Sequence, residues 1–261
     1  MESILIIPAR GGSTRVPNKN LQLINGRPLI YYSIQAAKLA GIKNIIVSTD
    51  SKDIATFAES QGIKVPFLRP DNLSTATSTS ISVIIHVLCK IKEENKYKPD
   101  IIIFKPPTNP FLTPSSIIKM IELKQTNRSV DSVLSIFRPR VSALNYVNFS
   151  KDKKTIETQI YDIEGTKLYD IERSQDRPIS FASSPACKIT ETKYFVEKYL
   201  NNKTNPESCS GPTFNYKNSF GYEIKDREAH DIDTINDLRM SELLLNSEEM
   251  QLQRDFYNHI Y

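Results

Sequence analysis

Five short apolar runs, interleaved with segments of helical spacing, fill the first 137 residues and leave few folds open to this chain. Ser3–Ala9 is too brief for a helix and ends at Pro8 and Gly11, so it predicts a buried strand. Lys43–Ser48, Ile63–Leu68, Asp100–Phe104 and Asp131–Ile136 read the same way. Pro28–Ala40 places Leu29, Ile30, Ile34 and Ala37 at helical spacing and stops at Gly41. Ser51 predicts the cap of a helix carrying Ile54, Phe57 and Ala58, closed by Gly62. Ser78–Lys92 carries Ile81, Ile84, Ile85 and Leu88 on one stripe, and Thr113 before Pro114 starts a helix with Ile117, Ile118 and Ile121. Strands apolar on both faces, each followed by a helix, need cover above and below. The predicted fold is therefore α/β, a doubly wound and mostly parallel sheet.

The pattern changes after residue 137. Asn145–Ile171 alternates apolar and polar residues around Lys151–Lys154 and Glu164–Gly165, which predicts antiparallel hairpins in an insertion at about 138–185. Such an insertion lies on its own sheet as a solvated flap or reaches a second subunit. Thr192–Asn201 predicts a helix and Phe220–Ile224 a strand, and Thr234 with Asp237 forms a capping box for a helix running to about Glu249. No repeat or low-complexity linker divides residues 1–261, which read as a single domain.

Composition removes several classes of function. With 39% hydrophobic and 25% charged residues among 261, the chain has the make-up of a folded protein and not of a disordered one. Its longest apolar runs fall far short of the ~20 residues that span a bilayer, so no membrane insertion is expected. The net charge of +4 is dispersed along the chain, unlike the clustered footprint of a nucleic-acid binder. Cys89, Cys187 and Cys209 show no CxxC spacing, which argues against a disulfide framework or a zinc site. No leader-like segment is evident, and the expected location is the cytoplasm.

Ligands of an open parallel sheet sit beyond the carboxyl ends of its strands. The first such loop reads Ala9-Arg10-Gly11-Gly12-Ser13-Thr14-Arg15-Val16-Pro17-Asn18-Lys19-Asn20. Its glycines allow backbone amides to approach an anion, Arg10, Arg15 and Lys19 supply cations, and Ser13 adds a hydroxyl. That is the chemistry a triphosphate needs. The spacings GxGxxG and GxxxxGK[ST] are both absent from the loop, which disfavours a nicotinamide-binding Rossmann protein and a P-loop NTPase.

The run Ile6-Ile7-Pro8-Ala9-Arg10-Gly11-Gly12-Ser13, followed by Pro17, Lys19 and Asn20, resembles the signature of acylneuraminate cytidylyltransferases, the CMP-sialic acid and CMP-nonulosonic acid synthetases. The likeness continues through Val47-Ser48-Thr49-Asp50, Pro66-Phe67-Leu68-Arg69-Pro70, Pro107-Thr108-Asn109-Pro110 and Asp231-Ile232-Asp233-Thr234, covering nearly the whole chain. The resemblance implies a Rossmann-like nucleotidyltransferase that joins CTP to the anomeric hydroxyl of a free nine-carbon sugar acid and releases pyrophosphate. It implies that the nucleotide is held by Ala9, Arg10, Gly11, Gly12, Ser13, Arg15, Lys19, Asn20, Arg69, Ser78 and Ser80. Arg10, Lys19 and Arg173 are then the catalytic residues; Thr108, Asn109, Arg173 and Gln175 face the sugar. The family usually forms homodimers through the segment after the fifth strand.

The same resemblance makes Asp231 and Asp233 the ligands of Mg²⁺. On residues alone, two carboxylates two positions apart share one side of an extended segment, and they fit a helix entry as well as a metal. Ser78 and Ser80 are also good caps for the helix they open, and Asp50 for the helix after it. Arg173 could equally pair with Glu172 or Asp176 on the surface. His86 reads as a packed core residue, and His230 as the one histidine close to the acidic pair.

Departures from the family pattern gather on the sugar side. Thr14 and Arg15 stand where a lysine is usual, and Pro106 to Leu112 lack the family's glutamine and arginine. Ser184-Pro185-Ala186-Cys187-Lys188 replaces its Asn-Gly-Ala segment. The expectation is an enzyme whose acid differs from N-acetylneuraminate. A weakly catalytic CTP-binding protein and a sugar-1-phosphate nucleotidyltransferase are the alternatives.

Overall fold

The computed structural model describes residues 1–93, 98–139, 148–149, 156–157, 179–200 and 213–245. Its strands are β1 (Ser3–Pro8), β2 (Leu23–Ile24), β3 (Arg27–Pro28), β4 (Ile45–Ser48), β5 (Ile101–Phe104), β6 (Ser132–Phe137), β7 (Asn148–Phe149), β8 (Ile156–Glu157), β9 (Ala182–Glu191) and β10 (Ser219–Glu223). The helices are α1 (Leu29–Leu39), α2 (Lys52–Ser60), α3 (Ser80–Glu93), α4 (Pro114–Thr126), α5 (Thr192–Phe195, continued by a π-helical turn over Val196–Leu200) and α6 (Ile235–Leu245). Six strands form the main sheet in the order β10-β6-β9-β5-β1-β4.

Successive side chains of a strand point to opposite faces, so β1 feeds two cores. Leu5 and Ile7 join Ile34, Val47, Ile54 and Ile117 under α1, α2 and α4. Ile4 and Ile6 join Ile81, Ile84, Ile102 and Phe195 under α3 and α5. The doubly wound expectation thus holds through β6, as do the helix signals. Ser51 accepts the Ile54 amide to cap α2, and Thr113 accepts the Ser116 amide to cap α4, with Pro114 at the first turn. Buried Glu228 adds to that second cap, since its Oε1 accepts the Thr113 amide at 2.9 Å, the Thr113 hydroxyl at 2.7 Å and the Ser116 hydroxyl at 2.6 Å.

Two readings change. Ile63–Leu68 forms no strand and joins no sheet among the described residues, where β4 is the edge of the main sheet. Its apolar side chains pack instead, Ile63 into the core under α1 and α2 and Phe67 edge-on to His86 at 5.2 Å between centroids. The second change is β9, a ten-residue strand running antiparallel between β5 and β6. No element is predicted there, and Pro185 interrupts the strand pattern. The ladder explains how proline is tolerated: Leu134 pairs with Lys188 and Ile136 with Ser183, so residues 184–187 bulge opposite Ser135. The Ser135 hydroxyl fills the gap, donating to the Cys187 carbonyl at 2.7 Å and accepting the Cys187 amide at 3.1 Å.

The hairpin expected around Lys151–Lys154 is present as the antiparallel pair β7–β8, with Asn148 opposite Glu157. The turn expected at Glu164–Gly165 lies outside the described residues, as does the end of the last helix beyond Leu245. No helix among the described residues is long and apolar enough to cross a membrane.

Candidate active site

The chain passes from β1 to β4 on one side of the sheet and returns to place β5 on the other side of β1. This reversal opens a crevice beyond the carboxyl ends of β1 and β5, the position where such sheets take their ligands. A cavity of about 280 Å³ occupies it, lined by Pro8, Arg10, Ser13, Lys19 and Asn20 after β1, by Phe104, Pro106, Pro107 and Thr108 at the end of β5, and by Arg69, Ser78 and Ser80 beside α3.

The loop after β1 is held from within. Asn20, buried, donates its amide to the Arg10 carbonyl at 2.9 Å, and the Arg10 guanidinium donates to the Thr75 carbonyl at 2.6 Å. The Gly11 amide donates to Asp50 Oδ1 at 2.9 Å, so this N–H is engaged inside the protein. Space there is tight: a Cβ would sit 3.0 Å from Ser51 Cβ, so any other residue would have to push that side chain aside. Gly12 has open space around it, and buried Ala9 continues the β1 ladder through its amide to the Ser48 carbonyl. Arg15 is the most exposed of the loop cations and reaches Asp233 at 3.0 Å.

Arg69 is only 5% exposed and lines the same cavity. Its Nε donates to Ser74 Oγ at 3.1 Å, and the nearest carboxylate oxygen, on Asp50, is 3.9 Å away. Burial holds the guanidinium below its ordinary pKa, Asp50 opposes that shift, and the neighbouring Arg10 adds to it. Two like charges facing one cavity leave it electropositive, ready for an anion. Of the two residues expected to cap α2, Ser51 does so, and Asp50 instead ties the glycine loop to Arg69. The cap of α3 likewise falls to a neighbour of the two serines: Thr79 Oγ1 accepts the Ser82 amide at 3.2 Å, while Ser78 Oγ accepts the Thr75 amide.

Residues more than two hundred positions away complete the site. Lys19 donates to the Ile232 carbonyl at 2.7 Å and to Asp233 Oδ1 at 3.2 Å, and the Ile232 amide donates to the Thr108 carbonyl. Asp231 is half-buried. Burial raises its pKa most, a Thr108 hydrogen bond lowers it, the Asp233 charge raises it, and Lys19 lowers it. Its Oδ1 is buried without a hydrogen-bond partner, an unsatisfied acceptor beside a second carboxylate. That donor set fits a divalent cation completing its shell with phosphate oxygens and water. Among the described residues no third His, Cys, Asp or Glu joins the pair. His230 bonds instead to the Asp237 carbonyl and Ser241 Oγ, a structural role at the start of α6.

Thr108 lines the cavity, whereas fully buried Asn109 turns away, its amide shared between the Ala229 and His230 carbonyls at 3.3 and 3.0 Å. Arg173 and Gln175 lie outside the described residues. The sequence reading missed Thr75 and Thr79 as cavity residues and Lys105 as a fully buried cation behind it. The run Thr75 to Ser80, dense in hydroxyls before a helix, was the available signal for the first two.

A basic crevice at the switch point of a doubly wound sheet defines a nucleotide-binding α/β protein. More specifically, the chain belongs to the cytidylyltransferase family, whose model matches residues 4–257. It is 41% identical over 138 residues to the CMP-N,N'-diacetyllegionaminic acid synthase of Legionella pneumophila, a stretch covering 52% of this chain and 59% of that protein. It is 35% identical over 136 residues to the N-acylneuraminate cytidylyltransferase of Escherichia coli, covering 52% of this chain and 31% of that one. The match therefore spans less than two thirds of either relative's length. Among solved structures, CMP:2-keto-3-deoxy-manno-octonic acid synthetase complexed with CTP shares the fold with a TM-score of 0.65, at 15% identity and covering 94% of this chain and 98% of that one.

Proposed function

We propose that this protein transfers CMP from CTP to the anomeric hydroxyl of a nonulosonic, sialic-acid-like sugar acid and releases pyrophosphate. The observation that carries the reading is the crevice at the switch point, where Arg10, Lys19 and buried Arg69 line one cavity and the carboxylates of Asp50 and Asp233 approach two of these cations from its edge. The family supports a cytidine nucleotide, and relatives named for diacetyllegionaminic acid and N-acylneuraminate support the class of acid.

In this reading the hydroxyl oxygen attacks the α-phosphorus, the bond from that phosphorus to the oxygen bridging to the β-phosphate breaks so that pyrophosphate leaves, and the hydroxyl proton passes to water. Arg10 and Lys19 stabilise charge growing on the α-phosphate and the departing pyrophosphate, which is the main demand of phosphoryl chemistry. Arg69, Ser78 and Ser80 hold the rest of the nucleotide, and Thr108 stands between the nucleotide and the sugar. Asp231 and Asp233 would hold Mg²⁺, which lowers the pKa of a bound hydroxyl and draws charge from the phosphates. Lys19, bonded to Asp233, links the metal pair to the phosphate loop. Arg173 and Gln175 are assigned to the sugar, a homodimer to the segment around 138–185, and the cytoplasm to the protein's location.

The test is pyrophosphate release from CTP and Mg²⁺ with a panel of free nonulosonic acids, comparing wild type with Asp233→Ala. Release with at least one free acid, lost in the variant, is expected. Thermal stabilisation by CTP with no release from any acid would replace this reading with that of a CTP-binding protein. A requirement for a phosphorylated sugar would replace it with that of a sugar-1-phosphate nucleotidyltransferase.

A further inference from the structure

Directly behind the crevice lies a charge that the proposed chemistry does not use. Lys105, the residue after β5, is 0% exposed. Its ammonium donates to Ser33 Oγ on α1 at 2.8 Å and to the Asn109 carbonyl at 3.2 Å. No carboxylate pairs with it among the described residues, and the titratable group that acts on it is the buried, protonated thiol of Cys187 on β9. A buried ammonium held only by neutral partners is costly, and an apolar side chain of the same length would fill the space.

What those bonds do is fix a loop. By gripping the Asn109 carbonyl, Lys105 closes the turn from Lys105 to Asn109 on itself, and Ser33 ties the turn to α1 by donating to the Pro106 carbonyl at 3.4 Å. Asn109, fully buried, then extends its amide to the Ala229 and His230 carbonyls. Its neighbour Thr108 takes the Ile232 amide through its carbonyl and bonds Asp231 through its side chain. Among the described residues, the bonds this turn gives to residues 229–232 start from Thr108 and Asn109, and Lys105 grips the second of these by its carbonyl.

We infer that Lys105, acting through Asn109, is a positioning residue that sets the Asp231–Asp233 carboxylates against the phosphate crevice. The inference rests on the reading of those carboxylates as the metal pair. Removing the ammonium leaves both carboxylates in the chain but loosens the 105–109 turn that braces the segment carrying them, so metal binding weakens while the start of the phosphate loop, held by Asn20 and Asp50, keeps its shape.

The experiment uses Lys105→Met, Asn109→Leu and their double variant, with Lys124→Met as control. Lys124 is equally buried but paired with Glu191 at 2.7 Å, between α4 and β9, and makes no bond to the 229–233 segment. Two quantities are read: half-saturating Mg²⁺ for pyrophosphate release, and binding of Mn²⁺ to the CTP complex by the loss of its free electron paramagnetic resonance signal. Residues that orient metal ligands typically change metal affinity about 10-fold or more. Lys105→Met and Asn109→Leu should each shift both quantities by about that factor, and the double variant by little more than either, because residues in one network are not additive. CTP affinity in EDTA should stay within about twofold, and Lys124→Met should move neither metal quantity. Ser33→Ala, which removes one partner of the ammonium, should shift both in the same direction by a smaller factor, and it serves if Lys105→Met does not fold. Unchanged metal affinity in Lys105→Met and Ser33→Ala, an equal shift in Lys124→Met, or single effects that multiply in the double variant would overturn the inference. A wild type that binds Mn²⁺ with CTP but releases no pyrophosphate would count against the proposed reaction alone.

Discussion

Lys105→Met should make the protein more stable at neutral pH while impairing it. Burial brings the Lys105 ammonium from 10.5 down to about 8, which at 1.36 kcal/mol per pH unit corresponds to a penalty of about 3 kcal/mol for holding the charge inside at pH 7. Methionine removes that penalty and keeps most of the volume, but it forfeits two hydrogen bonds worth about 0.5–1.5 kcal/mol each. The net expectation is a gain of about 1–2 kcal/mol at pH 7. The pH dependence has a definite direction. Below about pH 8 both folded and unfolded chains carry the proton and the penalty is complete; between about 8 and 10.5 only the unfolded chain does, so wild-type stability rises with pH across that window. The advantage of the variant should therefore shrink from pH 8 upward and change sign at about pH 9, and by about pH 10.5 only the lost hydrogen bonds remain. Urea unfolding followed by circular dichroism at pH 7, 8.5 and 10 measures it. A variant less stable than wild type at pH 7, or a difference that does not vary with pH, would refute the argument.

Cys187 is fully buried and its thiol is pushed up to about 12, so it should resist alkylation in the native protein and react only after unfolding, as peptide mapping of iodoacetamide-treated protein can establish. Glu228→Ala strips three donors at the start of α4 of their acceptor and should cost about 3 kcal/mol or more, read as a fall in melting temperature; a loss under 1 kcal/mol would contradict the capping role. Gly11→Ala drives a methyl group to 3.0 Å from Ser51 Cβ and should cost about 1–3 kcal/mol, with weaker CTP binding by calorimetry, whereas Gly12→Ala, in open space, should leave folding stability within about 0.5 kcal/mol.

The parts of the fold readable in the sequence are those that local chemistry decides. Ser51 and Thr113-Pro114 begin helices because their side chains satisfy amides a few positions ahead, wherever the rest of the chain goes. Buried strands such as β1 and β5 declare themselves as unbroken apolar runs. β9 could not be read this way, because its central Pro185 belongs to a bulge that exists only when Ser135 lies opposite. Ile63–Leu68 fails for the opposite reason: it has the composition of a strand but no partner, and its burial comes from α1, α2 and α3.

The candidate site divides along the same line. The phosphate loop is compact in sequence, so its glycines and cations could be assembled on paper. The meeting of Lys19 with Ile232 and Asp233 spans more than two hundred residues, and spacing alone carries no sign of it. The resemblance to the family supplied that link, and the fold brings Lys19 against Ile232 and Asp233. Neither route pointed to the support behind them: Lys105 looks like any surface lysine after a strand until the fold closes over it.

A crystal structure of the protein with CTP and Mg²⁺ tests the central claim most directly. The account predicts the triphosphate in the crevice between the ends of β1 and β5, against Arg10, Ser13 and Lys19, with a metal bridging it to Asp231 and Asp233. Nucleotide density elsewhere, or a triphosphate in the crevice whose metal touches neither carboxylate, would contradict it.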